Sequence, residues 1–411
     1  MHVGIWAPDW AELAGGGFTV ENDLFEAIIA EGLSTQHRFT ALVSSPAKIR
    51  HAGYPTLVLP KGGLVKGIIR KVVNRVIRKS HRILRPAVDG MRDPNANHSS
   101  LWHNDALASN GIDFIISLNP YKNPFEPCNP QPFLVCVWDL EHRKQPFFPE
   151  VRGGVWESRQ RHFCKVLGQA AFVVTGTQIG ATEVERFYGV YPKRIRVIPY
   201  PTPQFALEPP GPNEQEEPLT QLPEGIPFLF YPAQFWPHKN HVTALKVLRE
   251  LLDRHQLNIK LVLTGSDQGN WPHVEEWVRR LQLEKDVVFA GFVSRPQLRW
   301  LYCNALALLF PSLFGPDNLP PLEAFALGCP VIASAIDGAL EQYGDAAMLC
   351  DPVDAASFAR AAATILGDPS YRMELIKRAK ARAAQWTRRD AARSLIAILD
   401  EFSHVRDNWG S

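Results

Sequence analysis

The stretch from residue 305 to residue 332 combines features that hold a nucleoside diphosphate. An apolar segment, Ala305–Phe310, runs into a loop of Pro, Gly and Asn, and a predicted helix follows from Pro320–Pro321 to Gly328. The free N–H groups and the positive dipole end of that helix favour an anion in the loop. Glu323, which we expect in the first helical turn, would sit beside this anion and accept hydrogen bonds from the hydroxyls of an attached ribose.

Short apolar runs alternate with helical patterns along the whole chain. This alternation predicts an α/β protein with parallel sheets that carry helices on both faces. Ligands of such doubly wound sheets bind at the carboxyl ends of the strands. The candidate strands are His2–Ala7, Arg38–Ser44, Thr56–Leu59, Ile112–Leu118, Phe133–Val137, Phe172–Thr175, Ile195–Ile198, Phe228–Ala233, Lys260–Thr264, Val287–Ala290, Ala305–Phe310, Val331–Ala333 and Met348–Cys350.

The length of 411 residues exceeds what one core organises, so two domains of roughly 200 residues each are expected. We place a first Rossmann-like domain at 1–200, a linker rich in Pro, Glu and Gln at 201–224, a second Rossmann-like domain at 225–386 and a last helix at 387–411. Thr387 caps that helix, with Asp390 in its first turn.

Composition excludes several classes of function. A net charge of +2 gives no reason to expect a nucleic-acid partner. The six cysteines are scattered, without a Cys-x-x-Cys pair, which argues against a metal site or a disulfide frame. The first residues predict a short strand and not a secretory signal, and no apolar run approaches the ~20 residues that cross a bilayer. A cytoplasmic location is therefore expected.

The stretch that ends at Ile332 resembles the signature of the GT4 family of retaining glycosyltransferases, which have the GT-B fold. The family pattern reads roughly E-G-F-G-L-P-x-L-E-A-x-A-x-G-x-P-V-I. The matching positions are Leu319, Pro320, Leu322, Glu323, Ala324, Ala326, Gly328, Pro330, Val331 and Ile332. The resemblance implies that Asn318, Leu319 and Glu323 belong to the site for a nucleoside-diphosphate sugar, with Glu323 on the ribose. The alternative for Glu323 is a first-turn glutamate that only stabilises the helix dipole.

Three more loops of the second domain follow strands, and two of them, at 233–241 and around Phe292, resemble donor-binding loops of this family. Residues 233–241 are similar to G-R-L-x-x-x-K-G, so Lys239 falls on the lysine that pairs with the diphosphate, and Gln234 falls on the arginine. Gly265 permits close backbone approach, and the loop around Phe292 resembles the one whose backbone contacts the base. The alternatives are a solvated lysine at 239 and a plain turn at 265.

Two segments of the first domain complete the expected site. The glycines of Ala14–Phe18, among them Gly16 and Gly17, open a helix after the first strand, where backbone and dipole favour an anion; the alternative is a flexible loop. Residues 137–143 resemble the family stretch V-H-D-L-x-H that faces the donor sugar. Asp139 and His142 match it and are the predicted catalytic residues, the alternative being a buried structural His–Asp pair.

Three positions depart from the family pattern. Gly315 stands where the first signature glutamate is expected, Gln234 replaces the arginine, and Trp138 replaces the histidine near the sugar. Each departure removes a polar or charged contact. Asp317, Asn318 and His238 are candidate substitutes, and the unchanged loop length indicates a divergent subfamily.

A basic segment, Leu64–Arg85, contains eight Lys or Arg residues and no acid. Its apolar pairs recur four residues apart and predict one apolar helical face. Such a helix would lie on an anionic membrane, with the protein peripheral on the inner face of the cytoplasmic membrane. The alternative is a core-packed helix with a solvated charged face.

The resemblance as a whole implies a retaining, metal-independent hexosyltransferase without a cofactor. The first domain would bind a glycan or lipid-linked acceptor of cell-surface polysaccharide or lipopolysaccharide synthesis, and the second would bind the donor, GDP-mannose in preference to a UDP-sugar. The final helix would cross back onto the first domain. Two alternatives remain: a catalytically degenerate protein that binds a nucleotide sugar or scaffolds a membrane assembly, and a nucleotide-sugar 2-epimerase.

Overall fold

The computed structural model describes residues 1–8, 16–43, 54–59, 106–120, 131–210 and 217–408. Within these ranges the chain forms two parallel β-sheets, one from each half. The predicted basic helix at Leu64–Arg85 and the first part of the glycine loop, Ala14–Gly15, lie outside the described residues. Those two interpretations therefore stay predictions.

The first sheet has seven described strands in the order β3-β2-β1-β4-β5-β6-β7. They are β1 (His2–Trp6), β2 (Arg38–Val43), β3 (Thr56–Val58), β4 (Phe114–Ser117), β5 (Phe133–Val137), β6 (Phe172–Thr175) and β7 (Ile195–Val197). All pairs are parallel. Alternate residues of β5 enter different apolar clusters, Leu134 on one face and Val135 on the other. Both faces are therefore covered, which explains why these strands are continuous apolar runs.

The second sheet has six described strands in the order β10-β9-β8-β11-β12-β13. They are β8 (Phe228–Pro232), β9 (Lys260–Thr264), β10 (Val287–Gly291), β11 (Ala307–Phe310), β12 (Val331–Ser334) and β13 (Ala347–Cys350). This sheet is also parallel throughout. Every strand predicted from the sequence is present, with its ends within about two residues of the expected ones.

Helices connect and cover the strands of both sheets. In the described ranges they are α1 (Gly16–Gly32), α2 (Glu141–Lys144), α3 (Gly154–Gln169), α4 (Gln178–Tyr188), α5 (Gln204–Leu207), α6 (His241–Asp253), α7 (Trp271–Arg280), α8 (Arg295–Asn304), α9 (Leu319–Leu327), α10 (Ala339–Tyr343), α11 (Ala355–Gly367), α12 (Pro369–Ala384) and α13 (Arg388–Arg406). None of these helices is both long enough and apolar enough to cross a membrane. The predicted α/β class with two doubly wound parallel domains is confirmed.

The predicted linker at 201–224 contributes to packing where it is described. Helix α5 lies within it, and the Gln204 N–H donates to Asp23 Oδ2 at 2.9 Å. Ala206 and Leu219 are buried, and Leu219 belongs to the main apolar cluster. Single apolar residues of this otherwise polar segment therefore reach the core. The segment is therefore an anchored connection. The exact domain boundaries remain predictions.

The last helix, α13, packs against the first domain as expected. Thr387 and Asp390 form a reciprocal capping box at its start. Phe402 packs on Phe114 and Phe172, with ring centroids 4.9 and 6.2 Å apart. Two arginines at its start pair with Glu31, and Arg406 pairs with Asp113 near its end. The second half of the chain thus completes the core of the first.

Candidate functional site

A cleft of about 1340 Å³ lies at the carboxyl ends of both sets of strands. Its walls come from the start of α1, from the segment after β5, and from the loops after β8, β9, β10 and β11. This is the edge at which doubly wound sheets bind ligands. The structure therefore brings the predicted loops of both domains together around one space.

Helix α9 begins at Leu319, one residue before the position predicted from the sequence. Glu323 is consequently its fifth residue and does not lie in the first turn, so that part of the prediction is wrong. The two prolines fit the start of the helix because their missing N–H groups have no partner there in any case. Gly328 ends the helix with a φ of +74°, as its position in the sequence predicted.

The amino ends of two helices meet across the cleft. Helix α1 starts at Gly16, where an added Cβ would lie only 3.4 Å from Leu319 Cδ1 at the start of α9. Neither helix carries an acidic residue in its first turn. Two positive dipole ends therefore face one space, and no acid in the first turn of either helix offsets them. This arrangement favours the binding of a diphosphate.

Lys239 supplies a positive charge to the same part of the cleft. Its Nζ lies 3.5 Å from Asn318 Oδ1 and 5.3 Å from the centroid of the Phe310 ring. Burial lowers the pKa of Lys239 to about 8, although the carboxylates of Asp139 and Glu150 act in the opposite direction. Among the described residues no carboxylate lies within ion-pair distance of Nζ, so an anionic ligand would provide its counter-charge.

Asn318 is fixed by the backbone and by α10. Its N–H donates to Gln342 Oε1 and its carbonyl accepts from Gln342 Nε2, both at 3.0 Å. Its amide nitrogen donates to the Gly315 carbonyl at 2.6 Å. With these bonds in place, Asn318 Oδ1 is directed at the Lys239 ammonium and accepts its hydrogen bond. Asn318 therefore orients the lysine and also lines the cleft.

Glu323 is a buried carboxylate in the wall of the cleft. Its Oε2 accepts a hydrogen bond of 2.6 Å from the hydroxyl of Tyr302, and the residue is 8% exposed. Burial raises the pKa of Glu323 to about 7, while the bond from Tyr302 acts against that rise. A carboxylate held in this way can accept hydrogen bonds from a diol.

Residues 213–382 match the model of the family described as glycosyl transferases group 1. The match covers the loops that carry Lys239, Gly265, Phe292 and Glu323.

Over these residues the chain is similar to group 1 glycosyl transferases.

Two curated relatives and one solved structure are also similar to this chain. A D-inositol 3-phosphate glycosyltransferase from Acidothermus cellulolyticus is 30% identical over 238 residues, which cover 54% of this chain and 52% of that protein. An O-antigen chain mannosyltransferase B from Escherichia coli is 29% identical over 164 residues, which cover 39% of this chain and 42% of that protein. The chain thus spans about half or less of the length of each relative.

The structure of Anabaena HepE in complex with UDP-glucose resembles the whole chain in fold. Its TM-score is 0.67 at 16% sequence identity, and the similarity covers 98% of this chain and 100% of that chain. The GT-B fold that the sequence predicted is therefore confirmed.

Gln234, at the position of the family arginine, is used within the protein. Its amide nitrogen donates to Ser266 Oγ at 3.2 Å, and its oxygen accepts from the indole N–H of Trp236 at 3.1 Å. Gly265 has a φ of +134°, and an added Cβ would lie 2.4 Å from the Ala233 carbonyl oxygen. The two loops therefore touch through backbone, and Gln234 ties them together where the family has a charge.

Phe292 lies in the third donor loop and lines the cleft. Its side chain is 61% exposed, which is unusual for a phenylalanine in a folded domain. An exposed ring at the cleft wall offers a flat apolar face, and a planar base is a ligand that stacks on such a face.

Trp138 fills the space beside the glycine loop. An added Cβ on Gly17 would lie 2.9 Å from Cζ3 of Trp138, and the indole N–H donates to the Leu118 carbonyl at 3.1 Å. Gly16 and Gly17 lie at the start of α1. Because they have no side chain, Gly16 packs closely against Leu319 and Gly17 packs closely against Trp138. A tryptophan 121 positions from the glycine in the chain gives no local signal of this pairing.

Asp139 lines the cleft but is already paired. Its Oδ1 lies 2.5 Å from Arg159 Nη2 and accepts from the Glu141 N–H at 3.0 Å. Burial pushes the pKa of Asp139 upward, yet the guanidinium of Arg159 holds it below its ordinary value. Asp139 is therefore an anion at neutral pH, which suits an electrostatic role better than that of a proton donor.

His142 does not reach the cleft, so the prediction that it is a catalytic residue is wrong. Short helix α2 turns it inward, where it is fully buried and stacked on Phe163. Its Nε2 lies 3.0 Å from the Tyr188 hydroxyl, and burial lowers its pKa to about 4. It is a neutral core histidine, bonded to Tyr188 and not to Asp139.

Glu150, which pairs with the candidate substitute His238, is the part of the site that the sequence did not reveal. The backbone N–H of His238 donates to Glu150 Oε1 at 3.0 Å, and its Nδ1 lies 2.7 Å from the same oxygen. Burial lowers the pKa of His238 to about 4. Burial also raises the pKa of Glu150, but the hydrogen bonds to its carboxylate, first of all the one from the His238 side chain, lower this pKa by more, so that it lies below its ordinary value. A neutral imidazole therefore donates from Nδ1 to an ionised carboxylate across the domain boundary.

Asp317 does not replace the charge that is absent at Gly315. Its carboxyl group packs on Gly176, where an added Cβ would meet Oδ1 at 2.4 Å. Burial, together with Glu341 and Glu183, raises the pKa of Asp317 to about 8. It is therefore protonated at neutral pH. Across the described residues no group of three or more His, Cys, Asp or Glu side chains is arranged to hold a metal ion.

Proposed function

We propose that the chain is a retaining glycosyltransferase of the GT4 type, which transfers a hexosyl group from a nucleoside-diphosphate sugar to a glycan or lipid-linked acceptor. One observation carries the proposal. Two helix amino ends and Lys239 converge on an anion site, and Glu323, on the second of those helices, is a carboxylate suited to a ribose. The family match to residues 213–382 supports it.

The proposed chemistry depends on the departure of a diphosphate. As the bond between the anomeric carbon and the diphosphate oxygen breaks, negative charge grows on the leaving group. Lys239 and the amino ends of α1 and α9 are fixed in place before the reaction and would stabilise that charge. Because these groups supply the positive charge, we propose that no divalent metal or cofactor is required.

For the donor we favour GDP-mannose, with a UDP-sugar as the alternative. The E. coli relative is an O-antigen chain mannosyltransferase, which supports mannose and an acceptor in cell-surface polysaccharide or lipopolysaccharide synthesis. The structural relative HepE was solved with UDP-glucose, which supports the alternative. Exposed Phe292 fits either base, since stacking on a ring does not distinguish them.

A thermal-shift screen tests the proposal. The protein is heated with GDP, UDP, ADP or dTDP and with their common sugars, each with and without EDTA. A ligand that binds the native state at 100 times its Kd adds about 2.7 kcal/mol to stability, so one nucleotide should raise the melting temperature clearly, with EDTA making no difference. Turnover is then measured with that donor and acceptor glycans.

Three outcomes of the screen contradict parts of the proposal. No shift with any nucleotide sugar refutes the donor site. A shift that EDTA abolishes refutes metal independence. Binding without turnover on any acceptor favours the alternative of a degenerate protein, for which the replacements at Gly315, Gln234 and Trp138 are the supporting observation.

The predicted membrane contact is made by Leu64–Arg85, which lie outside the described ranges. Membrane contact, and location on the inner face of the cytoplasmic membrane, therefore stay predictions. Co-sedimentation with anionic vesicles, against neutral vesicles as the control, is its measurement.

A further inference from the structure

Glu150 crosses from the first domain to the second and ends in the wall of the cleft. It belongs to the short helical turn Pro149–Val151, and its Oε1 takes both the backbone N–H and the imidazole of His238. Both side chains are largely buried, at 7% exposure for Glu150 and 12% for His238. Both residues line the cleft.

The second carboxylate oxygen of Glu150 is unused. Oε2 is buried and has no hydrogen-bond partner within the part of the chain that the structure describes. An ionised carboxylate is a strong acceptor, and a buried one is costly when left unsatisfied. No described residue supplies a partner for Oε2, and because Glu150 lines the cleft, a ligand bound there is the candidate partner.

The position of this carboxylate suits the sugar end of a donor. His238 stacks on Phe314 with ring centroids 3.9 Å apart, and Phe314 precedes Gly315, which has no side chain. On its other side His238 is followed by Lys239, whose ammonium marks the diphosphate. A hexosyl group attached to a diphosphate bound at Lys239 would therefore lie near Glu150, whose charge acts on that lysine and which lines the same cleft.

Position 315 of this loop does not readily accept a side chain that carries a carboxylate. Gly315 has a φ of +116°, a conformation that residues with a Cβ rarely adopt, and an added Cβ would lie 3.0 Å from Asn318 Oδ1. A side chain there would disturb the residue that orients Lys239. A carboxylate brought from the other domain avoids this conflict.

We propose that Glu150, held by His238, accepts a hydrogen bond from a hydroxyl of the donor's hexosyl group and so helps to select and position the sugar. This inference depends on the proposed function, because it assumes a nucleotide sugar in the cleft. Glu150 and His238 come from different domains, so the contact forms only at the domain separation seen here. Sugar recognition is thereby coupled to closure of the cleft.

The test compares Glu150→Gln with wild type in two titrations, UDP against UDP-glucose and GDP against GDP-mannose. Glutamine keeps an oxygen that accepts from His238, and it replaces the second carboxylate oxygen by an NH₂ group. We expect Kd for the free diphosphate to change less than about twofold, and Kd for its sugar to rise about tenfold. Glu157→Gln, an exposed glutamate outside the cleft, removes the same charge and should change neither value.

Deoxy-sugar donors give a second readout on the wild-type protein, independent of any variant. The wild-type protein should bind one of the 2-, 3-, 4- or 6-deoxy forms of UDP-glucose or GDP-mannose about tenfold more weakly than the parent sugar. The Glu150→Gln variant should bind that deoxy form and the parent sugar with equal affinity. Equal losses for diphosphate and sugar in Glu150→Gln would mean that the pair only holds the domains together, which overturns the inference. Unchanged affinity for both overturns it as well.

The failure of the proposed function looks different. In that case wild type binds neither the diphosphates nor their sugars. If wild type binds both and only the Glu150→Gln comparison fails, the proposed function stands and the role of Glu150 does not.

Discussion

Replacing Lys239 by methionine is expected to raise the Kd for GDP or UDP at pH 7 by about 10- to 100-fold, the range for a lost hydrogen bond to a charged group. The melting temperature of the unliganded protein should stay the same or rise. Burial lowers the pKa of this lysine to about 8, which means that its charge is costly in the folded protein. Methionine fills a similar volume beside Phe310 without that cost.

The pH dependence separates this role from a structural one. Lysine is charged below its pKa, and a bound diphosphate raises that pKa, so binding above pH 8 must take up a proton. Wild-type affinity should therefore fall as the pH rises through about 8, and Lys239→Met should lose that dependence. Isothermal titration calorimetry from pH 6.5 to 9.5 measures both effects.

A matched control for Lys239 lies on the next helix. Lys246→Met removes an exposed lysine of α6, whose ammonium lies over Trp277 and outside the cleft, and should leave nucleotide affinity unchanged. Equal affinities for Lys239→Met and wild type, with both folded, would refute the diphosphate assignment.

Replacing Glu323 by glutamine is expected to weaken binding of ribonucleoside diphosphates about 10- to 100-fold and to abolish discrimination between ribose and dideoxyribose. A carboxylate accepts from both ribose hydroxyls, whereas an amide offers one acceptor. Glutamine keeps an acceptor for the Tyr302 hydroxyl, so it avoids the unsatisfied buried group that alanine would leave.

The measurement titrates wild type and Glu323→Gln with UDP or GDP and with the 2′,3′-dideoxy forms. Tyr302→Phe is the control, since it removes the internal bond and retains the carboxylate. The raised pKa, about 7, means that ionising Glu323 costs stability as the pH rises from about 4.5 through 7, so the glutamine variant should melt no lower than wild type at pH 8. Continued preference of a folded variant for ribose would rule out this assignment.

The parts of the site found from the sequence are those encoded in one short stretch. Buried parallel strands are continuous apolar runs, so β5 and β11 are visible from their residues alone. Lys239 and Glu323 stand beside prolines, glycines and apolar residues in fixed order, and that order predicted their place in the cleft. The helix start at Leu319 was missed by one residue because proline is accepted at several positions of a first turn.

The parts that were missed depend on contacts between distant residues. Of residues 137–143, Trp138 and Asp139 line the cleft, but only the packing on Phe163 shows that His142 turns away from it. Glu150 lies 88 positions from His238 in the chain, and nothing in its own segment indicates that the two residues pair. The roles of Gly17 and Trp138 likewise become visible only when the two are in contact.

The return of α13 to the first sheet also bears on how the chain folds as it is made. Phe114 and Phe172 leave the ribosome early, yet Phe402, which packs on both, emerges only after the entire second sheet. At ~5–20 residues per second the interval is about 10–50 s. During that interval the amino-terminal half has an apolar face that is not yet covered by α13. We expect this half to need chaperones, and we expect it to aggregate when translation stops early.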